Sequence, residues 1–214
     1  MNPQLWWYLA RASGIIAYVL LIASVIWGVL LSTRVLKPLD RPAWLLALHR
    51  FLASLAVVCT GLHLGALVAD GYVHFAWKEI LVPGASAWRT SAVAVGVVAL
   101  YLFALVELTS LMMRKLPKRL WRAIHMSSYA LVWTVSIHAA MAGSDVTNIA
   151  YQAMALLLTV GATTAAVLRV LAGRRGRATS RGCPAPGSAP ARSLPPRFAP
   201  AAPASDADRV GTRP

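Results

Sequence analysis

Five stretches of the sequence are almost wholly apolar and long enough to cross a lipid bilayer as helices, which takes about 20 residues each. They lie at 13–32, 44–68, 88–112, 121–142 and 148–171. The composition agrees with a membrane protein, because 58% of the residues are hydrophobic, 13% are charged and the mean hydropathy is +0.61. The sequence therefore predicts an all-α integral membrane bundle of about five transmembrane helices in contact with membrane lipid.

The basic residues indicate how these spans are oriented. They are frequent between the first and second spans and between the third and fourth: Arg34, Lys37, Arg41, Arg114, Lys115, Lys118, Arg119 and Arg122. The opposite side holds Arg11, Lys78 and Arg89. Positive residues favour the cytoplasmic side, so we expect the N-terminus outside and the C-terminus inside a bacterial-type plasma (inner) membrane. This placement explains the net charge of +14, and we expect no nucleic-acid partner.

From Gly173 onward the sequence is rich in Pro, Ala, Gly, Ser and Arg and has no apolar periodicity, which is typical of disorder. We therefore predict a membrane domain over 1–172 and a disordered cytoplasmic tail over 173–214. The tail is too short for a flavin or nicotinamide domain, and no dinucleotide-type glycine motif occurs in the sequence.

Four of the five histidines lie as two pairs inside apolar spans, where a histidine is costly and usually functional. His49 and His63 lie in the second span, and His125 and His138 lie in the fourth. At about 1.5 Å per residue, the second histidine of each span lies roughly 20 Å above the first. Haem iron takes two axial ligands from opposite sides. The pattern therefore predicts an inner haem b between His49 and His125 and an outer haem b between His63 and His138.

The angle between two histidines around the helix axis supports a shared ligand face more strongly in the second span than in the fourth. His49 and His63 are 14 residues apart, which returns a helix to within roughly 40° of its starting direction. His125 and His138 are 13 residues apart, which places them about 140° from each other on a regular helix. We therefore expect either a distortion of the fourth helix or two haems approached from different sides.

Several side chains near the pairs are candidates for the haem sites. Arg50 and Arg122 lie beside the inner pair, and Arg11 lies at the outer end of the first span, where each could bind a haem propionate. Topology and interface anchoring explain these arginines equally well. Trp133 and Phe51 could lie between the haems, although aromatic residues on membrane helices more often serve packing.

Three other polar residues have both a structural and a functional explanation. His74 in the outer loop could bind a metal ion, although a solvated loop histidine is the simpler interpretation. Asp145 could line an acceptor site or belong to a turn that ends a helix. Glu107 in the third span is explained by a partner such as Arg114 or Arg50, or by proton uptake beside a quinone.

The residues around these histidines resemble the ferric reductase-like transmembrane domain family. That family includes the membrane halves of NADPH oxidases and ferric reductases and the haem subunit of periplasmic methionine sulfoxide reductase. The resemblance covers nearly all of residues 5–171. The segments that carry it are WWYLARASGIIAY (6–18), HRFLASLAVVCTGLH (49–63) and the TS, WRAIH and SIHAAMAGSD elements of 109–145. The resemblance implies two b-type haems on His49, His63, His125 and His138, with Arg11 near a haem. Many members have a sixth helix or a fused FAD and NADPH domain. Neither is recognisable in this sequence, so NADPH oxidation by the chain alone is not implied.

The function that these expectations describe is a membrane b-type cytochrome. It would carry electrons from a cytoplasmic flavoprotein or quinol to ferric iron or a periplasmic redox partner, as the haem subunit of a ferric reductase-like oxidoreductase. Electrons would come from another molecule, because the chain has no recognisable nucleotide-binding motif. The alternative is a non-enzymatic haem-binding module that serves as an anchor, a sensor or a docking site, which the arginine-rich tail would suit.

Overall fold

In the computed structural model, the apolar stretches form helices that together make up most of the chain. The structure describes residues 4–33, 42–71, 73, 75–143 and 146–181, and these residues contain no β-strand. In chain order the helices are α1 (Leu5–Thr33), α2 (Pro42–Ala69), α3 (Trp77–Leu81), α4 (Thr90–Leu111), α5 (Lys118–Met126), α6 (Ser128–Ala142) and α7 (Ile149–Arg181). The predicted all-α class is confirmed.

Four of these helices are long and apolar enough to cross a membrane, which identifies the chain as a membrane protein. The spans are Leu5–Thr33, Ala43–Ala69, Thr90–Leu111 and Ile149–Leu171. Large apolar side chains face outward along them, as Leu111 and Ile149 do with 80% and 78% of their surface exposed. Such a surface matches lipid as the surrounding solvent. The first span begins at Leu5 rather than residue 13, because the tryptophans before the apolar stretch suit a membrane interface.

The fourth predicted span is not one continuous helix. Residues 118–142 form α5 and α6, which meet at Ser127. The Ser127 N–H donates to the carbonyl of Ile124 at 2.9 Å, and the Ser127 hydroxyl donates to the same carbonyl at 2.6 Å. These bonds tighten the turn in place of the regular α-helical bond. The structure therefore has four continuous spans where about five were predicted. The distortion expected between His125 and His138 is confirmed.

The helices pack as two pairs that share a core. α1 packs against α2, and α4 packs against α6, while α1 also contacts α6. One buried cluster joins α1, α6 and α7 through Tyr18, Ile22, Val25, Val132 and Ala162. A second buried cluster joins α2, α4 and α6 through Ala56, Ala99, Phe103 and Leu131. Close packing of this kind is the main source of helix association in a membrane, where lipid is as apolar as the side chains.

The last helix continues past the predicted start of the tail. α7 extends to Arg181, and the sequence has no helix-breaking proline between Gly173 and Pro184. The chain divides into two compact units, residues 1–175 and 176–214, and the described part of the second unit is the end of α7. The remainder of the predicted tail, residues 182–214, lies outside the described residues.

Candidate functional site

The structure brings the four predicted histidines together as two pairs. His49 on α2 and His125 on α5, the first pair, have ring centroids 6.1 Å apart and ring planes at 75°. His63 on α2 and His138 on α6, the second pair, line one cavity of about 370 Å³. Small-molecule sites usually measure about 300 to 1,000 Å³, so this cavity is of ligand size. Both predicted pairings are therefore present in the fold.

Each paired histidine is held through its Nδ1 atom by a helix other than its own. Three Nδ1 atoms lie within hydrogen-bond distance of a backbone carbonyl oxygen: His49 with Ser24 at 3.0 Å, His63 with Ala10 at 2.7 Å and His138 with Ala92 at 2.8 Å. Nδ1 of His125 lies 3.3 Å from the hydroxyl oxygen of Ser110. A carbonyl oxygen only accepts, so Nδ1 must carry the hydrogen. A neutral ring in this tautomer keeps the Nε2 lone pair for a metal.

Glycines on the facing helices leave room for three of these rings. The shortest distance from an added Cβ to the ring would be 2.6 Å at Gly96 for His138, 2.9 Å at Gly14 for His63 and 3.2 Å at Gly28 for His49. Each glycine comes four residues after the residue whose carbonyl accepts the Nδ1 bond. The missing side chain lets the imidazole reach that carbonyl. We call a glycine and the carbonyl four residues before it a histidine notch.

The notches recur at a fixed spacing. On α1 the two notch glycines are 14 residues apart, as are the two α2 histidines that they face. On α4 the residue 14 positions after Gly96 is Ser110, which contacts His125. Fourteen residues make almost four helical turns, or about 21 Å, and return to nearly the same face. Helices α1 and α4 thus present two histidine-binding positions each. Three of these four positions are glycines, and the fourth is Ser110.

A buried apolar layer lies at the level midway between the two pairs. Ala56 is seven residues from each α2 histidine, and Phe103 is seven residues from each histidine-contacting position of α4. Both pack in one cluster with Leu131. Trp133 and Phe51, which were candidates for this layer, are instead 51% and 60% exposed. Phe103 is the aromatic residue of the layer, and its place becomes visible only once α4 is packed against α6.

Two polar atoms near the first pair have no partner. Trp121 stacks on His125 with ring centroids 5.2 Å apart and planes at 26°. Its Nε1–H and that of Trp27, which precedes Gly28, are buried without a hydrogen-bond partner in the part of the chain that the structure describes. A buried donor left unpaired costs about 1 to 3 kcal/mol. Both indoles are therefore candidates to donate a hydrogen bond to a bound group.

The structure adds an arginine near the first pair that was not predicted. Arg50 and Arg122 are exposed, and within the described residues neither is hydrogen-bonded to a histidine. Arg169 on α7 lies close enough to His125 for its charge to act on that ring, and its Nη1 donates to the Tyr129 hydroxyl at 3.1 Å. Sequence reasoning missed Arg169, although a lone arginine inside an apolar span is a signal that could have found it.

Two arginines line the cavity of the second pair. Arg11, the predicted one, lies 5.0 Å from the centroid of the Trp7 ring. Arg89 lies 5.3 Å from the Trp88 ring, and its Nη1 donates to the carbonyl of Met141 at 2.9 Å. Sequence reasoning used Arg89 for topology alone. Arg89 reaches the second-pair cavity because α4 packs against α6, and no local sequence pattern predicts that packing.

Of the three other predicted polar residues, the structure describes Glu107. His74 and Asp145 lie outside the described residues. Glu107 is half-buried on α4, and in the described part of the chain no ion pair joins it to Arg114 or Arg50. The same residues contain no group of three or more His, Cys, Asp or Glu side chains that could hold a bare metal ion.

A family model matches most of the helical part of the chain. The family is described as Domain of unknown function (DUF8596), and the match covers residues 5–145. That range contains both histidine pairs, the three notch glycines and Ser110. No curated protein and no solved structure matches the chain.

Proposed function

This chain belongs to that family, and we propose that it is a membrane b-type cytochrome whose two histidine pairs each ligate one haem. The observation that supports this most directly is the way the rings are held. Metal-ligating histidines usually donate their second ring N–H to a carbonyl or a similar acceptor, which fixes the tautomer and the ring orientation. Four histidines in a helical membrane protein, each held in this way and grouped as two pairs, match that pattern better than they match ordinary packing.

The dimensions of the first pair fit an iron between the two rings. With metal–nitrogen bonds of about 2 Å and ring centroids about 1 Å behind the nitrogens, two axial imidazoles have centroids roughly 6 Å apart. The distance between the His49 and His125 centroids is 6.1 Å. Two histidines would leave a bare ion short of the three or four protein ligands typical of zinc sites, whereas a porphyrin brings four nitrogen donors of its own. The pairing therefore favours haem over a simple metal site.

Bound haem would supply reversible one-electron iron chemistry, and the chain would set the conditions for it. The helix carbonyls and Ser110 orient the imidazoles. The apolar layer around Phe103 excludes water between the two levels. Arg11, Arg89 and Arg169 provide cations that pair with carboxylates such as haem propionates. With both axial positions taken by histidine, the iron would exchange electrons at the haem edge rather than bind a substrate.

The proposed direction of electron flow is outward. The positive-inside rule places the first pair toward the cytoplasm, and the two levels are about 21 Å apart in a hydrocarbon core about 30 Å thick. We propose that a cytoplasmic flavoprotein or a quinol supplies electrons to the first pair. The second pair would deliver them to ferric iron or an extracytoplasmic redox partner, in the manner of a ferric reductase-like subunit.

Haem loading is the first test. The purified chain, supplied with haem during expression, should show two low-spin b-type centres in its optical spectrum. His63→Ala and His138→Ala should each lose the same centre, and His49→Ala and His125→Ala should each lose the other. His74→Ala, which changes the fifth histidine of the sequence, should keep both centres. Absence of haem from the wild type, or unchanged haem content in the four variants, would contradict the proposal.

A measurement of electron transfer across a membrane distinguishes an electron conduit from a haem-binding anchor or sensor. Loaded protein is reconstituted in liposomes that contain ferricyanide, and dithionite is added outside. A conduit should bleach the enclosed ferricyanide faster than protein-free liposomes do, and His63→Ala should reduce the rate to that background. Two haems that become reduced without bleaching ferricyanide would favour the non-enzymatic module.

A further inference from the structure

We propose that Ser110 is a positioning residue that gives the haem of the first pair a different reduction potential from that of the second pair. This inference rests on the proposed haem binding. Ser110 occupies the one of the four histidine-contacting positions on α1 and α4 that is not a glycine. At the other three positions the imidazole meets a backbone carbonyl, and His49 also lies 3.2 Å from the Ser24 hydroxyl. At Ser110 the imidazole of His125 meets a side-chain hydroxyl in place of the carbonyl.

The hydrogen bonds around Ser110 form a short relay. The Ser110 hydroxyl donates to the carbonyl of Val106 at 2.7 Å, which is the carbonyl that the notch pattern would offer to His125. Its oxygen is therefore left to accept from Nδ1–H of His125, 3.3 Å away. Ser110 thus stands between the ring and the helix carbonyl. It preserves the tautomer that the other three histidines have, but through a hydroxyl instead of a direct bond.

The relay changes the electronic character of the ligand. An acceptor on the second ring nitrogen raises the basicity of the coordinating nitrogen, and a more basic axial ligand favours the oxidised iron. A neutral hydroxyl at 3.3 Å is a weaker acceptor than a carbonyl at 2.7 or 2.8 Å. The contribution of Ser110 is therefore a higher reduction potential at the first pair than a complete notch would give.

Substitutions at Ser110 can separate this role from simple helix packing, since serines in membrane helices often bond back to a carbonyl without further function. Ser110→Ala removes the acceptor but keeps the Cβ that blocks the way to Val106. Ser110→Gly removes both and creates the complete notch. Thr109→Ala is the control for back-bonding to the helix, because the Thr109 hydroxyl donates to the carbonyls of Leu105 at 2.7 Å and Val106 at 3.2 Å. In the part of the chain that the structure describes, Thr109 is not hydrogen-bonded to His125.

The measurements are haem content and the midpoint potential of each centre in a redox titration followed optically. Ser110→Ala should raise the potential of the first-pair haem and weaken its retention about tenfold or more, as loss of a metal ligand's hydrogen-bond partner typically does. Ser110→Gly should retain that haem and lower its potential below the wild-type value. Thr109→Ala should change neither quantity.

The outcomes distinguish this inference from the proposed function. Shifts of the same sign in both Ser110 variants, or shifts no larger than those of Thr109→Ala, would overturn the role of Ser110 while two haems remain bound. A shift confined to the second-pair haem would also overturn it. A wild-type protein without haem would instead contradict the proposed function.

Discussion

Nδ1 of His138 lies 2.8 Å from the carbonyl oxygen of Ala92, and this contact is possible because the residue four positions later on α4 has no side chain. A Cβ on Gly96 would come within 2.6 Å of the His138 ring, closer than non-bonded carbon atoms approach in proteins. The histidine and the glycine are therefore parts of one site, even though they lie on different helices. The same relationship on α1 makes the glycines of the first span as informative as the histidines of the second.

The first prediction concerns the notch glycines, and it follows from how closely each would-be Cβ approaches its ring. Gly96→Ala should reduce haem content most, Gly14→Ala next and Gly28→Ala least, because the distances increase from 2.6 to 2.9 to 3.2 Å. Haem-to-protein ratios from the optical spectrum test this order.

A matched control for the notch variants is available on α2. An added Cβ at Gly61 would meet nothing within 4 Å, so Gly61→Ala should keep both haems and stabilise the helix by about 0.5 to 1 kcal/mol. Equal loss of haem from Gly96→Ala and Gly61→Ala would show that the effect does not come from the notch.

The sequence was sufficient to predict those features that depend on local pattern. Hydropathy identifies the spans, and histidine at membrane depth identifies His49 and His138 as ligand candidates at different levels. The spacing of 13 left two alternatives, a distorted helix or haems approached from different sides, and the structure has a distortion at Ser127. The notches could not be predicted, because Gly96 and Ala92 acquire their role only when α4 packs against α6. The same reason explains why Phe103 and Arg89 were missed.

The second prediction concerns the apolar layer between the pairs. Phe103 is buried beside Ala56 and Leu131, so Phe103→Ala should lower the free energy of unfolding by about 3 to 5 kcal/mol through the cavity it leaves. Phe51→Ala removes an equal volume from an exposed position and should change stability by less than about 0.5 kcal/mol. Thermal unfolding of both variants in detergent measures the difference, and similar melting temperatures would contradict the assignment of Phe103 to the core.

The third prediction uses the unpaired indole of Trp121. Trp121→Phe keeps an aromatic ring stacked on His125 but removes the buried Nε1–H that lacks a partner. The haem-free protein should therefore become more stable by about 1 to 3 kcal/mol, whereas retention of the first-pair haem should decrease if the indole donates to it. Thermal unfolding without haem and haem content after loading provide the two readings. Trp133→Phe, at an exposed position, should alter neither, and a stabilised variant with unchanged haem retention would exclude Trp121 as a donor.

The last prediction concerns Arg89, whose backbone conformation lowers the stability of the protein and whose side chain is expected to help retain the second-pair haem. Its φ of 41° and ψ of 53° lie in the left-handed region, which costs a residue with a Cβ about 1 to 2 kcal/mol. Arg89→Gly should therefore make the haem-free protein more stable than Arg89→Gln does, because both variants lose the guanidinium bond to the Met141 carbonyl and only glycine relieves the left-handed backbone. Both variants remove the guanidinium from the second-pair cavity, and a lost charge-assisted hydrogen bond of about 1.5 to 3 kcal/mol weakens haem retention there roughly tenfold or more. Arg50→Gln, which changes an exposed arginine next to His49 that does not line the second-pair cavity, serves as the control and should leave the second-pair haem in place. Full haem retention in Arg89→Gly would show that the Arg89 side chain contributes nothing to the site. The left-handed backbone of Arg89 would then serve only to start helix α4.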